Sequence, residues 1–357
     1  MRLAFYAPMK PPDDPVPSGD RSIARGLVAA LAQRGTDVTL ASRFRSRDGM
    51  GNEEVQADLM AQAAKEISRV SEAGKRAGWQ AWLTYHNYYK APDLIGPQAA
   101  AALDIPYLQI ESTRARKRLE GPWAAFAKAA EAASDAAQVI FYFTQHDAET
   151  LLRDAPRSQV LIHLPPFLNG DTLPVPSGLS GPMLSVGMMR SAAKLPSYQI
   201  IAQTLALLPD TDWCLQIAGD GPARAEVEAL MAPFRGNVRF LGALDTSALQ
   251  EIYRQSSLLF WPGVDEAFGM VYLEAQAAGL PVVAQDRPGV REVLAGAPQP
   301  AVQDGPAALA ARITDMMNKP AQRHKAALEA RSMIAKRHLL PAAADVLRGG
   351  LAKVGVR

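Results

Sequence analysis

Short apolar runs recur along the chain, separated by longer stretches of mixed polar and alanyl residues. In the first half the runs are residues 3–7, 38–41, 81–84, 107–110, 138–143 and 160–164. Each is short and continuous, the pattern of a strand buried on both faces. The stretches 20–33 and 52–76 read as helices covering such strands. Strict alternation of the two predicts a parallel, doubly wound sheet. The pattern stops between Pro165 and Pro182, where PPFLNGDTLPVPSGLSGP is dense in Pro, Gly and Ser and carries no period. It resumes with apolar runs at 184–186, 213–218, 238–240, 258–261 and 282–284, and ends in an alanine-rich helical tail, 307–351, interrupted by Pro320 and Pro341. The expected organisation is an α/β domain over 1–170, a linker over 171–181, a second α/β domain over 182–340 and a final helix over 341–357. Two such halves imply a cleft between them. No internal repeat is visible.

Composition narrows the classes. A chain of 357 residues with 48% hydrophobic content can fill two cores. A net charge of +2 gives no reason to expect nucleic acid as the main partner. The single cysteine, Cys214, rules out an internal disulfide framework and, inside the run 213–218, reads as an inert core thiol. The start, MRLAFYAPMK, has an apolar run too short for a signal peptide and reads as a first strand. No stretch approaches the roughly 20 apolar residues of a spanning helix, so a cytoplasmic protein is expected.

The chemistry concentrates in VDEAFGMVYLE, residues 264–274. Glu266 follows the strand 258–261 and so sits in a loop at a carboxyl end. Glu274 lies one to two turns into the helix 270–278, which Gly279 and Pro281 close. That crevice is where α/β sheets take ligands. Backbone N–H groups around Gly269 and Met270 are free to meet a phosphate or sugar oxygen. Two carboxylates beside such donors suit a ligand with many hydroxyls and a diphosphate, a nucleotide sugar.

Four segments of the second half, SVGMMRSAAK (185–194), LQIAGDGPAR (215–224), NVRFLGALD (237–245) and the stretch 264–294, together resemble the retaining glycosyltransferases of family 4, which have the GT-B fold of two Rossmann-like domains facing a cleft. The last segment carries that family's Glu-x7-Glu signature as Glu266 and Glu274. The resemblance implies a hexosyl transfer from a UDP- or GDP-sugar to a hydroxyl of a glycan, lipid or small molecule, with no cofactor and no metal. It makes Glu266, Arg190 and Lys194 catalytic: Glu266 accepts from sugar hydroxyls, and the two cations neutralise the departing pyrophosphate. Glu274 takes the ribose hydroxyls. Phe268, Gly269, Met270 and Val271 line the donor site, Gly19 approaches its phosphate, and Leu244 belongs to the segment near the base. The second domain holds the donor, the first the acceptor, and the final helix returns to the first. Ser18, His86 and Glu111 fall on the acceptor or sugar side. Pro11, Pro12, Pro15 and Pro17 stiffen the approach to Ser18. Two departures stand out. Many relatives have His where this chain has Glu111, and the Arg190–Lys194 spacing is one residue shorter than usual.

Plainer readings exist for each residue taken singly: a solvated helix face for Glu274, a helix cap for Glu266, surface charge for Arg190 and Lys194, and a helix start for His146. Gly219-Asp220-Gly221 lacks the third glycine of a dinucleotide loop and reads as a strand-to-helix turn. No GxGxxG follows the first strand, which argues against a nicotinamide oxidoreductase. A non-catalytic relative, favoured by Glu111, is the alternative to an enzyme. The basic cluster Arg114, Arg116, Lys117 and Arg118, followed by Trp123 and Phe126, reads either as a peripheral membrane contact toward a lipid-linked acceptor or as a solvated face. Arg43, Arg45 and Arg47 could add to that surface or meet an anionic acceptor.

Overall fold

A computed structural model of the chain describes residues 1–16, 18–33, 35–191, 194–209 and 213–356. Pro17 of the proline-rich approach, and residues 192–193 of the basic segment, lie outside the described residues. The chain forms two compact units, Met1–Pro165 with Leu340–Arg357, and Pro166–Leu339.

The first unit is built on strands β1 (Arg2–Tyr6), β2 (Asp37–Ser42), β3 (Ala81–Asn87), β4 (Tyr107–Ser112), β5 (Val139–Tyr142) and β6 (Val160–His163). All neighbours pair in parallel, in the order β2-β1-β3-β4-β5-β6. Helices α1 (Gly19–Ala32), α2 (Glu53–Ala77), α3 (Gly96–Leu103), α4 (Ala124–Ala136) and α5 (Gln145–Asp154) connect them. Leu3, Phe5, Leu83, Leu108 and Ile110 are fully buried, as continuous apolar strands require. The ends of the helices are written locally. Asn52 accepts from the Glu54 and Val55 N–H groups to start α2, and Gly78, at φ 63°, ends it in the left-handed conformation. Thr144 and Asp147 form a capping box on α5. The last helix of the chain, Leu340–Lys353, packs on α1.

The second unit has strands β7 (Met183–Val186), β8 (Leu215–Ala218), β9 (Val238–Gly242), β10 (Leu258–Phe260) and β11 (Val282–Val283), all parallel in the order β11-β10-β7-β8-β9. Its helices are α6 (Leu195–Leu205), α7 (Arg224–Met231), α8 (Thr246–Gln255), α9 (Met270–Ala277), the short α10 (Pro288–Arg291), α11 (Gly305–Asn318) and α12 (Pro320–Arg337). Pro320 opens α12, where its missing N–H costs nothing.

Both sheets are therefore Rossmann-like, and each reverses its winding once: between β1 and β3 in the first unit, between β7 and β10 in the second. Ligands of such sheets bind outside the carboxyl ends of the strands that flank the reversal.

Two expectations change. Cys214 is exposed, because β8 starts at Leu215, two residues later than expected, and Trp213 and Leu215 take the inward positions on either side. Segment 171–181, expected as a linker, is fastened within the second unit. The Ser177 N–H donates to Ala278 O at 2.8 Å and an Arg331 guanidinium N–H donates to Pro174 O at 2.9 Å. Among the described residues no helix is long and apolar enough to cross a membrane.

Candidate functional site

In the second unit the reversal brings together the loop after β7, which carries Arg190 and Lys194, and the loop after β10, which carries Glu266. Lys194 stands at the start of α6, and its Nζ forms an ion pair with Glu266 Oε1. The same carboxylate oxygen accepts from Trp261 Nε1 at 2.9 Å. Three further bonds fix the loop: Val264 N–H to Ser197 Oγ at 3.0 Å, the Tyr272 hydroxyl to Trp261 O at 3.0 Å, and the Tyr198 hydroxyl to Gly187 O at 2.7 Å. Asp265 is held at φ 55°, unusual for a residue other than glycine, and this kink turns Glu266 back over the strand end. The Arg190 side chain is exposed.

Glu274 lies on α9, where its Oε2 accepts from the Tyr253 hydroxyl of α8 at 2.9 Å. Burial pushes this carboxyl above its ordinary value, and the tyrosine bond counters part of the rise. The N-cap of α9 is Gly269, at φ 77°, and no side chain caps the helix. The Met270 and Val271 N–H groups consequently have no acceptor among the described residues. Phe268 is buried beneath this turn, and Leu244 is half-buried just ahead of Asp245, the N-cap of α8. The whole constellation offers cations, free backbone donors and two carboxylates along one sheet edge.

Gly219 and Gly221 serve this edge sterically. A Cβ on Gly219 would lie 1.9 Å from Gly187 O, and one on Gly221 2.4 Å from Met189 O. Both have positive φ, 141° and 152°. The turn after β8 thus packs directly on the loop that presents Arg190, which is a structural use of these glycines.

In the first unit, β3 and β4 run past their apolar segments and carry His86 and Glu111. Both residues are left-handed, at φ 65° and 57°, and lie between the paired positions Tyr85–Ile110 and Asn87–Ser112. His86 Nδ1 is 3.1 Å from Asp20 Oδ1 and 3.9 Å from Glu111 Oε2. Burial alone would lower the imidazole, but Glu111 and Asp20 outweigh it and hold His86 above its ordinary value. The His86 bond holds Asp20 below the usual carboxylate range, and burial raises Glu111. Ser18 caps α1 by accepting from the Arg21 N–H at 3.3 Å, and Gly19 borders open space. Ser18, Gly19, Asp20 and His86 therefore all sit where β1 and β3 part. His146 is exposed at the start of α5, 3.4 Å from Glu149.

The basic cluster is divided. Arg114 is only 4% exposed and donates to Glu131 and Asp135, each at 2.7 Å, so it does not belong to a surface patch. Its cation instead satisfies two carboxylates of α4, as a buried charge must. Arg116 pairs with Asp154, while Lys117 is exposed and Arg118 lies over aromatic rings. Arg43 and Arg45 pair with Asp13 and Asp14, bracing the proline-rich loop. Among the described residues no group of three or more His, Cys, Asp or Glu could hold a metal ion.

Three residues of these crevices, Trp261, Tyr253 and Asp20, were not singled out by sequence reasoning. Trp261 ends an apolar run and reads as core. Tyr253 joins Glu274 only through tertiary packing. Asp20, in the first turn of α1, reads as a helix-start acid.

Two parallel Rossmann-like units make up the GT-B fold. Residues 183–319, within the half that carries the resemblance, match the family model for Glycosyl transferases group 1. An uncharacterized glycosyltransferase of Methanocaldococcus jannaschii is 39% identical over 82 residues, 22% of this chain and 21% of that protein. A D-inositol 3-phosphate glycosyltransferase of Xylanimonas cellulosilytica is 26% identical over 326 residues, 75% of each. Against three of the curated relatives, the M. jannaschii protein among them, the chain spans only 21%, 26% and 38% of their length. The solved Anabaena HepE structure in complex with UDP shares the fold at a TM-score of 0.73 and 14% identity, over 99% of this chain and 100% of that one.

Proposed function

We propose that the protein is a retaining glycosyltransferase that moves a hexosyl unit from a UDP- or GDP-sugar to a hydroxyl of a glycan, lipid or small molecule. The observation that carries this reading is the Lys194–Glu266 pair at the reversal of the second sheet, beside the uncapped start of α9. Glu266, with Oε1 already committed to Trp261 and Lys194, would turn Oε2 to the hydroxyls of the donor sugar. Glu274 would accept from both ribose hydroxyls. The N–H groups of Gly269, Met270 and Val271 would meet the diphosphate, flanked by Phe268 and, toward the base, Leu244. Arg190 and Lys194 would neutralise the charge that develops as the nucleotide leaves, each lowering the barrier by about 2–4 kcal/mol. Gly19 would approach the donor phosphate, and Ser18, His86 and Glu111 would face acceptor or sugar. The domain roles follow, with the donor on the second unit and the acceptor on the first. Relatives support either nucleotide, since the Anabaena structure holds UDP and a Corynebacterium glutamicum relative is described as GDP-mannose-dependent.

Calorimetric titration with UDP, GDP, ADP and their sugars tests the reading, with Glu274→Ala as the control. Binding of one nucleotide that the variant loses is the expected result; no binding by any of them overturns it. A second reading, a binding protein that transfers nothing, is favoured by Glu111, a half-buried carboxylate whose Oε2 accepts no hydrogen bond and has only the His86 ion contact, where many relatives have His. Slow hydrolysis of the bound nucleotide sugar without acceptor separates the two, because only the transferase performs it.

A further inference from the structure

Four rings follow one another at the carboxyl ends of β3 and β4. The centroids of His86 and Tyr88 are 4.7 Å apart, those of Tyr88 and Tyr89 5.7 Å, and those of Tyr89 and Trp123 5.6 Å. All four side chains are half-buried, so part of each remains open to solvent. Two cations close the outer end. Lys90 Nζ lies 5.7 Å from the Tyr89 centroid and 5.4 Å from that of Trp123, and Arg118 Cζ is 5.2 Å from both.

Most cations of this unit near a loop or helix end are matched by carboxylates: Arg43 by Asp13, Arg45 by Asp14, Arg114 by Glu131 and Asp135, Arg116 by Asp154. Lys90, Lys117 and Arg118 have no carboxylate partner among the described residues. The Trp123 indole N–H and the Arg118 Nε–H also lack an acceptor. Cation–π attraction accounts for the two loops holding together. It does not account for gathering two positive charges on the same pair of rings, where they repel each other and an anion would relieve them. Flat, half-exposed rings suit the C–H face of a pyranose, and the cations suit a phosphate or carboxylate on it. The row lies on the edge where parallel sheets take ligands.

We propose that Tyr89, Lys90, Arg118 and Trp123 form a binding subsite for a sugar that bears an anionic group. Because Tyr89 and Trp123 meet edge to face at 88°, the pyranose stacks on one ring and abuts the other, and its phosphate or carboxylate pairs with Lys90 and Arg118. Because stacking and charge do not read individual hydroxyls, the subsite accepts anionic hexoses as a class. Its role as the acceptor subsite rests on the transferase reading; the binding itself does not.

The test is ligand-observed NMR of the full chain, without nucleotide, using glucose 6-phosphate, glucuronate, methyl glucoside and inorganic phosphate. Both anionic sugars are expected to bind, with the neutral sugar and inorganic phosphate each weaker by about tenfold or more. Raising salt weakens the anionic sugars. Lys90→Gln combined with Arg118→Gln removes their advantage over methyl glucoside, and Tyr89→Leu weakens all sugars while leaving inorganic phosphate unchanged. Lys90→Gln alone, with an unaltered melting temperature, guards against a folding defect in the double variant. Equal binding of inorganic phosphate, binding retained in the double variant, or attachment only to anionic phospholipid vesicles would each overturn the proposal. UDP titration of the same samples reads the donor site separately, so a failure there is not mistaken for a failure here.

Discussion

Trp261 Nε1 donates to Glu266 Oε1 at 2.9 Å, from a ring that is fully buried and meets Tyr198 edge to face. The carboxylate is thus aimed by a side chain that cannot move. Lys194 binds the same oxygen, so Oε2 is the atom available to a ligand.

Trp261→Phe keeps a ring in place and removes the N–H. Stability should fall by about 1–2 kcal/mol from lost volume. Donor turnover, measured as kcat/KM for transfer or hydrolysis, should fall further, by about tenfold or 1.4 kcal/mol. Nucleotide affinity should stay close to that of the parent, because in the proposed site Glu266 meets the sugar and not the base or ribose. A loss confined to nucleotide affinity would contradict this assignment.

Tyr253→Phe should cost about 1 kcal/mol of stability. Its sharper signature is in pH dependence. Burial already raises Glu274, and the Tyr253 hydroxyl offsets part of that rise, so its removal raises the carboxyl further. In the proposed site, ribose binding needs the ionised form and would be lost as pH falls through that value. The acid limb of nucleotide binding should therefore move to higher pH in the variant, which calorimetry at several pH values would reveal.

His86 titrates above its ordinary value of about 6.5. A raised histidine contributes stability that is complete below its unfolded value and is lost as pH rises through the folded one. The melting temperature of the parent relative to His86→Gln should accordingly be highest below about pH 6.5 and decline above it. Glu111→Gln should lower the imidazole midpoint in an NMR titration, since the strongest raising charge is gone while burial remains. An unchanged midpoint would show that Glu111 does not act on His86.

Gly289→Ala should disturb the site from a distance. A Cβ there would lie 1.5 Å from Ala267 O, so the loop bearing Glu266 has to move. Overpacking of this kind costs about 1–3 kcal/mol. The expected result is a lower melting temperature together with weaker donor binding, both of which a donor-titrated thermal melt reports.

The alternation of apolar runs was enough to place every strand of both sheets, because a strand buried on two faces has to be continuously apolar. The ends of those strands were less legible. Residues 81–84 and 107–110 are mainly apolar, with Thr84 and Gln109 the exceptions, yet β3 and β4 extend to Asn87 and Ser112, since the additional residues are held by strand pairing rather than by hydrophobic pattern. The strained pair His86 and Glu111 lies in that extension. The four basic residues 114–118 also looked alike along the chain. Only folding separates Arg114, enclosed by two carboxylates of α4, from Lys117 in solvent.

The sequence by itself determined the double α/β architecture, the Glu266–Glu274 spacing and the glycine at the start of α9, because these depend on neighbours within a turn or two. Only the tertiary structure decided which groups meet. Lys194 with Glu266 spans 72 positions, Tyr253 with Glu274 spans 21 and Asp20 with His86 spans 66. The first and last of these pairs form where the sheet reverses its winding and the second where α8 meets α9, places fixed by the order of strands in the sheet and carried by no local pattern.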